Sequence, residues 1–362
     1  MIKYLGSKRT LVPVLGDIAS ASGATEAVDL FTGTTRVAQE FKRRGLRVLA
    51  NDVATYSEVL AQCYIATNGQ EVDRHALEAA LAELNALPGE PGYFTETFCE
   101  ASRYFQPKNG ARVDAIRNAI DDRYADSWMR PILLTSLMLA ADRVDSTTGV
   151  QMAYLKQWAA RAHNDLELRL PDLIAGDGDV AREDAVTLAQ ELPRVQLMYL
   201  DPPYNQHRYF TNYHIWETLI RWDAPESYGI ACKRIDSRDD ATKSPYNMKR
   251  RMPGEMRRLL MTIKADLAVV SYNNESWIDP ETMMSTLRDA GYEDVRLLAF
   301  DYKRYVGAQI GIYNPSGEKV GRVSHLRNIE YLFLAGPTER VEVCAARVEH
   351  RALPKEPELT LF

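Results

Sequence analysis

The sequence predicts an α/β protein: a Rossmann-like sheet interrupted by a mostly helical insertion. Three observations predict it. Short apolar runs at residues 26–31, 46–50, 195–200 and 266–272 each read as a buried strand with polar or acidic residues at its end. The first two are separated by a glycine turn and a helical pattern, the start of a nucleotide-binding βαβ unit. Between residues 70 and 175 the alternation stops, and helical patterns dominate.

Composition narrows the class. At 362 residues the chain can bury a sizeable core, and 46% hydrophobic with 26% charged residues is ordinary for a soluble globular protein. No apolar run approaches a membrane span, and Met1-Ile-Lys-Tyr lacks a signal-peptide profile, so a cytoplasmic location is expected. Cys63, Cys99, Cys232 and Cys344 are scattered without a CxxC pair, which suggests neither a disulfide framework nor a zinc site. The net charge of −6 is spread unevenly. Residues 71–100 are acidic, whereas Lys243, Lys249, Arg250, Arg251, Arg257 and Arg258 face Glu255 alone. A local basic face is what phosphate binding needs, although a solvated surface is its simplest explanation.

The elements follow in order. Lys3-Tyr4-Leu5-Gly6-Ser7-Lys8 precedes a helical stretch at 11–18, and free amides at such a turn can hold an anion. The strand at 26–31 carries Asp29 and runs into Thr32-Gly33-Thr34-Thr35. One glycine stands where a dinucleotide fingerprint has three, and Asp29 would repel a phosphate. A carboxylate there suits a cationic group such as an amino-acid ammonium. The second strand ends at Asn51-Asp52, 23 residues after Asp29, where an acid is placed to accept ribose hydroxyls or to cap the helix at 55–66. A ribose acceptor and an amino-acid acceptor without a phosphate loop describe a nucleoside carrying an amino acid, namely S-adenosylmethionine. Helices are expected at 74–84, 113–124 and 128–144, with a further one around Gln157, Trp158 and Arg161. A third strand is expected near Asp184-Ala185, with Asp184 either accepting from an adenine amine or lying at the surface.

Asp201-Pro202-Pro203-Tyr204 ends the run at 195–200. Two prolines cannot continue a central ladder, and each restricts the residue before it. A carboxylate, rigid carbonyls and an aromatic ring therefore sit at the carboxyl end of a strand, where open α/β sheets bind ligands. The same tetrapeptide also serves as an ordinary strand-terminating turn. The next residues, 205–214, are polar, aromatic and basic. They include Arg208, Tyr209, Asn212 and Tyr213, and suit a loop that meets DNA. Residues 215–222 read as a short helix, and 225–253 as a mobile loop carrying the basic cluster. Strands are expected at 294–300 and 329–335. Lys303, Arg304 and Arg322 lie between them on a projecting basic hairpin, and a polar tail runs from residue 346.

Taken together, Lys3-Tyr-Leu-Gly-Ser-Lys8, Asp29-Leu-Phe-Thr-Gly33, Asn51-Asp52, Asp184-Ala185 and Asp201-Pro-Pro-Tyr204 resemble the Dam-like, alpha-group DNA adenine-N6 methyltransferases. Tyr209-Phe-Thr-Asn-Tyr-His214 and Ser271-Tyr-Asn-Asn274 resemble a subgroup with methyltransferases of type II restriction-modification systems. The likeness covers roughly residues 1–335. It departs at Gly33-Thr34-Thr35, where Gly-x-Gly is commoner, so an altered cofactor turn is expected.

The resemblance implies an S-adenosylmethionine-dependent methyltransferase sheet formed by residues 1–69 and 176–345. It makes residues 70–175 a target-recognition insertion and 346–362 a tail. By similarity, Asp29, Phe31, Thr32, Gly33 and Thr34 flank the methionine part, Asp52 holds the ribose, and Asp184 with Ala185 the adenine. Tyr4, Gly6 and Lys8 close the methionine end. Asp201, Pro202, Pro203 and Tyr204 would act on N6 of an adenine flipped out of double-stranded DNA, with no metal. Arg208, Lys249, Arg250, Arg251 and the basic hairpin would hold the DNA. The enzyme would work as a monomer, beside a cognate restriction endonuclease or in a solitary host or phage role. Protein-glutamine and RNA N-methyltransferases using a related motif are the alternative.

Overall fold

The structure is a computed structural model that describes residues 2–4, 8, 10–147, 149–204, 206–303 and 327–354. Seven strands form the central sheet: β1 (Glu26–Asp29), β2 (Arg47–Asn51), β3 (Gly178–Ala181), β4 (Val195–Leu200), β5 (Ala265–Asn273), β6 (Asp294–Lys303) and β7 (Arg327–Gly336). Their spatial order is β3-β2-β1-β4-β5-β7-β6. All neighbouring pairs from β3 through β5 are parallel, and β7 lies antiparallel between β5 and β6. The chain winds outward from β1 to β3 on one side and from β4 to β5 on the other. Strands β1 and β4 are thus adjacent at the switch point, and a crevice opens beyond their carboxyl ends.

Both faces of the sheet are covered, so its central strands are apolar throughout. Along β4, Leu197 and Tyr199 join one hydrophobic cluster while Met198 and Leu200 join the other. In β5, Leu267 and Val269 alternate with Ala268 and Val270 in the same way. The first cluster continues into the helices of the 70–175 segment, Arg74–Ala86, Pro107–Tyr124 and Arg130–Val144, where Leu134, Leu137 and Met138 are fully buried. The opposite face packs against helices Ala185–Glu191, Met252–Thr262 and Pro280–Asp289.

Four expectations change. Residues 225–251, expected as a loop without structure of its own, carry a short ribbon and three 3-10 turns, Ile235–Arg238, Asp240–Thr242 and Pro245–Asn247. A ribbon pairs Ser227–Tyr228 with Lys233–Arg234, and Arg234, 1% exposed, clamps Asp223 at 2.6 and 2.7 Å and Asp236 at 2.8 Å. Ion pairs order this stretch, and apolar periodicity does not register them. Helix Met252–Thr262 buries Met252, Met256, Leu259 and Leu260 at helical spacing, behind the arginines that made it read as basic loop. Helix Thr338–Val348 runs through the point where a polar tail was expected, because Val341, Cys344, Ala345 and Val348 pack into the core. Around Trp158, where a further helix was expected, only the single 3-10 turn Ala160–His163 forms.

Candidate active site

A cavity of about 710 Å³ occupies the crevice between the ends of β1 and β4. It brings together Tyr4, Lys8, Asp29, Phe31, Thr32, Gly33, Thr34, Asp52, Asp184, Ala185, Asp201 and Pro203, residues scattered from one end of the sequence to beyond its middle.

Asp29 ends β1, opposite Tyr199 of β4. It is 1% exposed. Its Oδ2 accepts from the Thr32 hydroxyl at 2.9 Å and from the Ala38 amide at 3.2 Å, while Oδ1 is buried without a hydrogen-bond partner. Burial, reinforced by the Asp201 and Asp52 charges, pushes this carboxyl up to about 7. A buried acceptor with one empty oxygen is costly unless something donates to it.

The turn after β1 explains how Thr35 replaces a glycine. Gly33 takes φ +50° and Thr35 φ +62°, the left-handed region that a β-branched residue rarely enters. Thr35 is held there from three sides. Its amide donates to the Thr32 carbonyl at 2.7 Å, its carbonyl accepts from the Gln39 amide at 2.7 Å, and its hydroxyl accepts from the Gln39 side chain at 2.8 Å. Thr35 thus occupies a backbone conformation that glycine adopts freely, at a strain of roughly 1 kcal/mol or more. A Cβ at Gly33 would meet the Tyr4 ring at 3.3 Å.

Asp52 follows β2 and reaches across to this turn. It accepts from the Gly33 amide at 2.9 Å and from the Ala54 amide at 3.0 Å, and burial raises its carboxyl. The Asn51 side chain ties three loop ends together, donating to the carbonyls of Leu30 and Glu183 at 3.1 Å and accepting from the Glu183 amide at 3.0 Å. That places Asp184 on the cavity wall. Asp184 is also the N-cap of the following helix, accepting from the Val186 and Thr187 amides at 3.0 and 3.1 Å.

At the end of β4, Asp201 makes an ion pair with Lys8 at 3.0 Å, and Lys8 makes a second with Glu330 of β7 at 3.2 Å. Lys8 is 4% and Glu330 2% exposed. Burial alone would lower Lys8, but the two carboxylates lift it well above the ordinary lysine value. Burial raises Asp201 and Glu330, against the pull of Lys8. Lys8 thus pairs on the Asp201 side of the cavity, whereas the resemblance assigned it to the methionine end. Its ammonium also lies 5.4 Å from the Tyr204 ring centre, and Tyr204 packs edge-on against Tyr272 at 5.8 Å.

The 205–214 stretch divides. Arg208 is exposed, and Tyr209 lines the cavity. Asn212 and Tyr213 are buried, at 5% and 1%, which removes them as contacts for DNA. Tyr213 stacks on Tyr4 at 4.5 Å, Tyr209 stacks on Tyr4 at 5.3 Å, and the Asn212 carbonyl accepts from the Gln151 amide at 2.8 Å. An aromatic-rich polar sequence here is a core plug behind the cavity. Lys249, Arg250 and Arg251 are exposed, with Arg251 paired to Glu255. Gly6, Arg304 and Arg322 lie outside the described residues, and Lys303 ends β6.

Two features escaped the sequence reading. Glu217, 3% exposed, accepts from the Thr55 amide at 3.1 Å and hydroxyl at 2.6 Å, capping helix Thr55–Ala61, whose own N-cap is Ala54. An acid inside the apolar run Ile215-Trp-Glu-Thr-Leu-Ile220 is the signal that could have found it. Residues 241–247 wall the cavity, with Tyr246 edge-on to Phe31 at 5.5 Å. Their sequence looked like open loop.

A family profile, D12 class N6 adenine-specific DNA methyltransferase, matches residues 4–286. Among similar proteins, modification methylase StsI of Streptococcus sanguinis is 30% identical over 84% of this chain, and type II methyltransferase M.FokI of Planomicrobium okeanokoites is 28% identical over 84%. The chain spans 49% and 50% of their lengths. Type II methyltransferase M.NlaIII of Neisseria lactamica is 31% identical over 84% of this chain, which spans 92% of it. The fold, the carboxylates at the switch point and the Asp-Pro-Pro-Tyr turn agree with that match: the chain belongs to the D12 class N6 adenine-specific DNA methyltransferases.

Proposed function

We propose that the protein transfers a methyl group from S-adenosylmethionine to N6 of an adenine flipped out of double-stranded DNA, at a specific site. Its setting would be a type II restriction-modification system with a cognate endonuclease. The observation that carries this reading is one cavity with two acceptors of different kind: the unpartnered Asp29 Oδ1 and the Asp201 carboxylate of the Asp-Pro-Pro-Tyr turn.

The residues fit the cofactor. Asp29 Oδ1 suits an ammonium donor, and Asp52 suits ribose hydroxyls, as an acid just past the second strand does in nucleotide-binding folds. Phe31 and Tyr246, edge-on to each other, and Asp184 offer an apolar, acceptor-bearing wall to an adenine ring. S-adenosylmethionine supplies a sulfonium-activated methyl when bound.

The protein's part is placement and charge. The adenine N6 lone pair is delocalised into the ring and is a weak nucleophile. The Asp201 carboxylate accepts one N6 hydrogen and the Pro202 carbonyl the other, which draws the nitrogen toward a pyramidal shape. Positive charge developing on N6 then meets an acceptor already in position. Pro202 and Pro203 hold these oxygens rigid. Tyr204, 8% exposed and packed against Tyr272 and Lys8, would stack on the base once its ring is uncovered. Flipping the base costs a few kcal/mol, offset by stacking and by these hydrogen bonds. Lys249, Arg250 and Arg208 supply phosphate contacts outside the cavity.

A glutamine side chain or an RNA base could be gripped by similar geometry. The acid at position 201 favours an exocyclic amine, which needs an acceptor charge. Purified protein given methyl-labelled S-adenosylmethionine and duplex DNA should place the label in N6-methyladenine after nuclease digestion. Label found only in protein or RNA would overturn the reading.

A further inference from the structure

Glu330 lies on β7, outside the stretch that matches the family profile, and its burial is unusual for an acid. It sits opposite Asn273 of β5 and Phe300 of β6, so the sheet itself holds its backbone. Its carboxylate reaches Lys8, and Lys8 in turn reaches Asp201. Two acids therefore share one cation in a nearly dry site, and the trio carries a net charge of −1 when all three are ionised.

That surplus has a use if the proposed reaction is right. The N6 lone pair forms the bond to the methyl carbon, sulfur keeps the electron pair of the bond that breaks, and N6 becomes cationic. One N6 proton then passes to Asp201 and on to solvent. With Glu330 present, the trio offers −1 to the cationic nitrogen and becomes neutral when the proton arrives. Without Glu330, Lys8 and Asp201 already cancel, and protonating Asp201 would leave a buried net positive charge.

We propose that Glu330 is a positioning and charge-setting residue for methyl transfer: by taking half of the Lys8 ammonium it keeps Asp201 from being fully neutralised and so leaves it basic enough to accept the N6 proton. The inference rests on the adenine-methylating function proposed above. The other titratable groups facing the trio are Asp29 from β1, Tyr199 from β4, and Tyr204 and Tyr209 from the loop and helix that follow. Burial lifts both Tyr199 and Tyr209 well above the ordinary tyrosine value, so they stay neutral across the working range.

The test measures single-turnover methyl transfer to duplex DNA from pH 5 to 9, in wild type, Glu330→Gln and Glu330→Asp. Wild-type transfer to adenine is the control for the underlying reading. If wild type methylates no adenine, that reading has failed. If wild type is active, Glu330→Gln should slow the step roughly tenfold to a hundredfold. It should also move the acid limb of the profile to lower pH, because removing a nearby anion makes Asp201 easier to ionise. Glu330→Asp keeps the charge and should retain most of the rate with the limb in place. It serves as the deciding variant should Glu330→Gln fail to fold. Retained activity and an unshifted limb in Glu330→Gln would overturn the proposal. So would a folded Glu330→Asp protein that loses rate a hundredfold, since that is the behaviour of a packing residue.

Discussion

On the β1 and β2 side of the cavity, each carboxylate is held by neighbours close in the chain, whereas on the β4 side the partners come from opposite ends of it. Asp29 takes its hydrogen bonds from three and nine residues away, and Asp52 from two and nineteen. Lys8 and Glu330, which flank Asp201, are 322 residues apart. The first wall is local and incomplete, with an oxygen left for a ligand to fill. The second is long-range, with one buried cation shared between two carboxylates and a surplus of negative charge. On the proposed function, binding and chemistry would be divided between a wall that any βαβ unit can carry and one that needs the completed sheet.

The sharpest way to break that division is at Asp201. Asp201→Ala should lower methyl transfer about a thousandfold or more, since it removes both the acceptor and the charge that meets the N6 cation. Cofactor affinity should change little, and the fold should hold, because Lys8 keeps Glu330 as its partner. Labelled-methyl transfer and cofactor titration read the two effects separately. Near-normal transfer would contradict the role of Asp201, and lost cofactor affinity would contradict the separation of the walls.

A smaller effect is expected at Asp29. Asp29→Asn keeps the shape but removes the charge offered to the cofactor's ammonium, which should weaken cofactor binding roughly tenfold to a hundredfold. The same change should stabilise the unliganded protein. The Asp29 carboxyl is near 7 in the fold against an ordinary 3.8, so the fold binds its proton more tightly than the unfolded chain does. Stability tied to this group is fully present below pH 4 and is lost as pH rises toward 7, by about 4 kcal/mol at most. The melting advantage of Asp29→Asn over wild type should therefore be slight at pH 4 and larger at pH 8. An equal advantage at both would show that Asp29 is not strained by burial.

These two residues also mark what was legible in the sequence. Six of the seven strands fall on stretches read as strands, while β3 is polar and ends at Ala181, short of Asp184. Asp29, Asp52, Asp184 and Asp201 lie at or just after strand ends, so motif spacing carries them to one cavity. A turn, a strand end and a helix start are local events, and local sequence reports them. The role of Lys8 was legible only in part, and that of Glu330 not at all. A buried acid inside a β-strand has no pattern of its own, and its partner lies at the other terminus. Glu217 is hidden for the same reason. Asn212 and Tyr213 were misread because aromatic and amide side chains look alike whether they face DNA or plug a core. The stacking of Tyr213 on Tyr4 decides the matter, and that contact joins segments more than two hundred residues apart.

The least effect should come from the basic edge, where contacts reach neither wall. Lys249 and Arg250 are exposed, and among the described residues neither forms an ion pair, unlike Arg251, Arg257 and Arg258 nearby. Replacing both by Ala should leave single-turnover transfer at saturating DNA almost unchanged. DNA binding should weaken by similar factors for target and non-target duplexes. Each phosphate contact adds close to one unit to the slope of log affinity against log salt, so losing two should flatten that slope by about 2. A loss confined to one target sequence would mean that these side chains read bases, and would extend recognition to a segment that otherwise only carries charge. An unchanged slope would move the phosphate contacts elsewhere on the surface, leaving both walls of the cavity as argued.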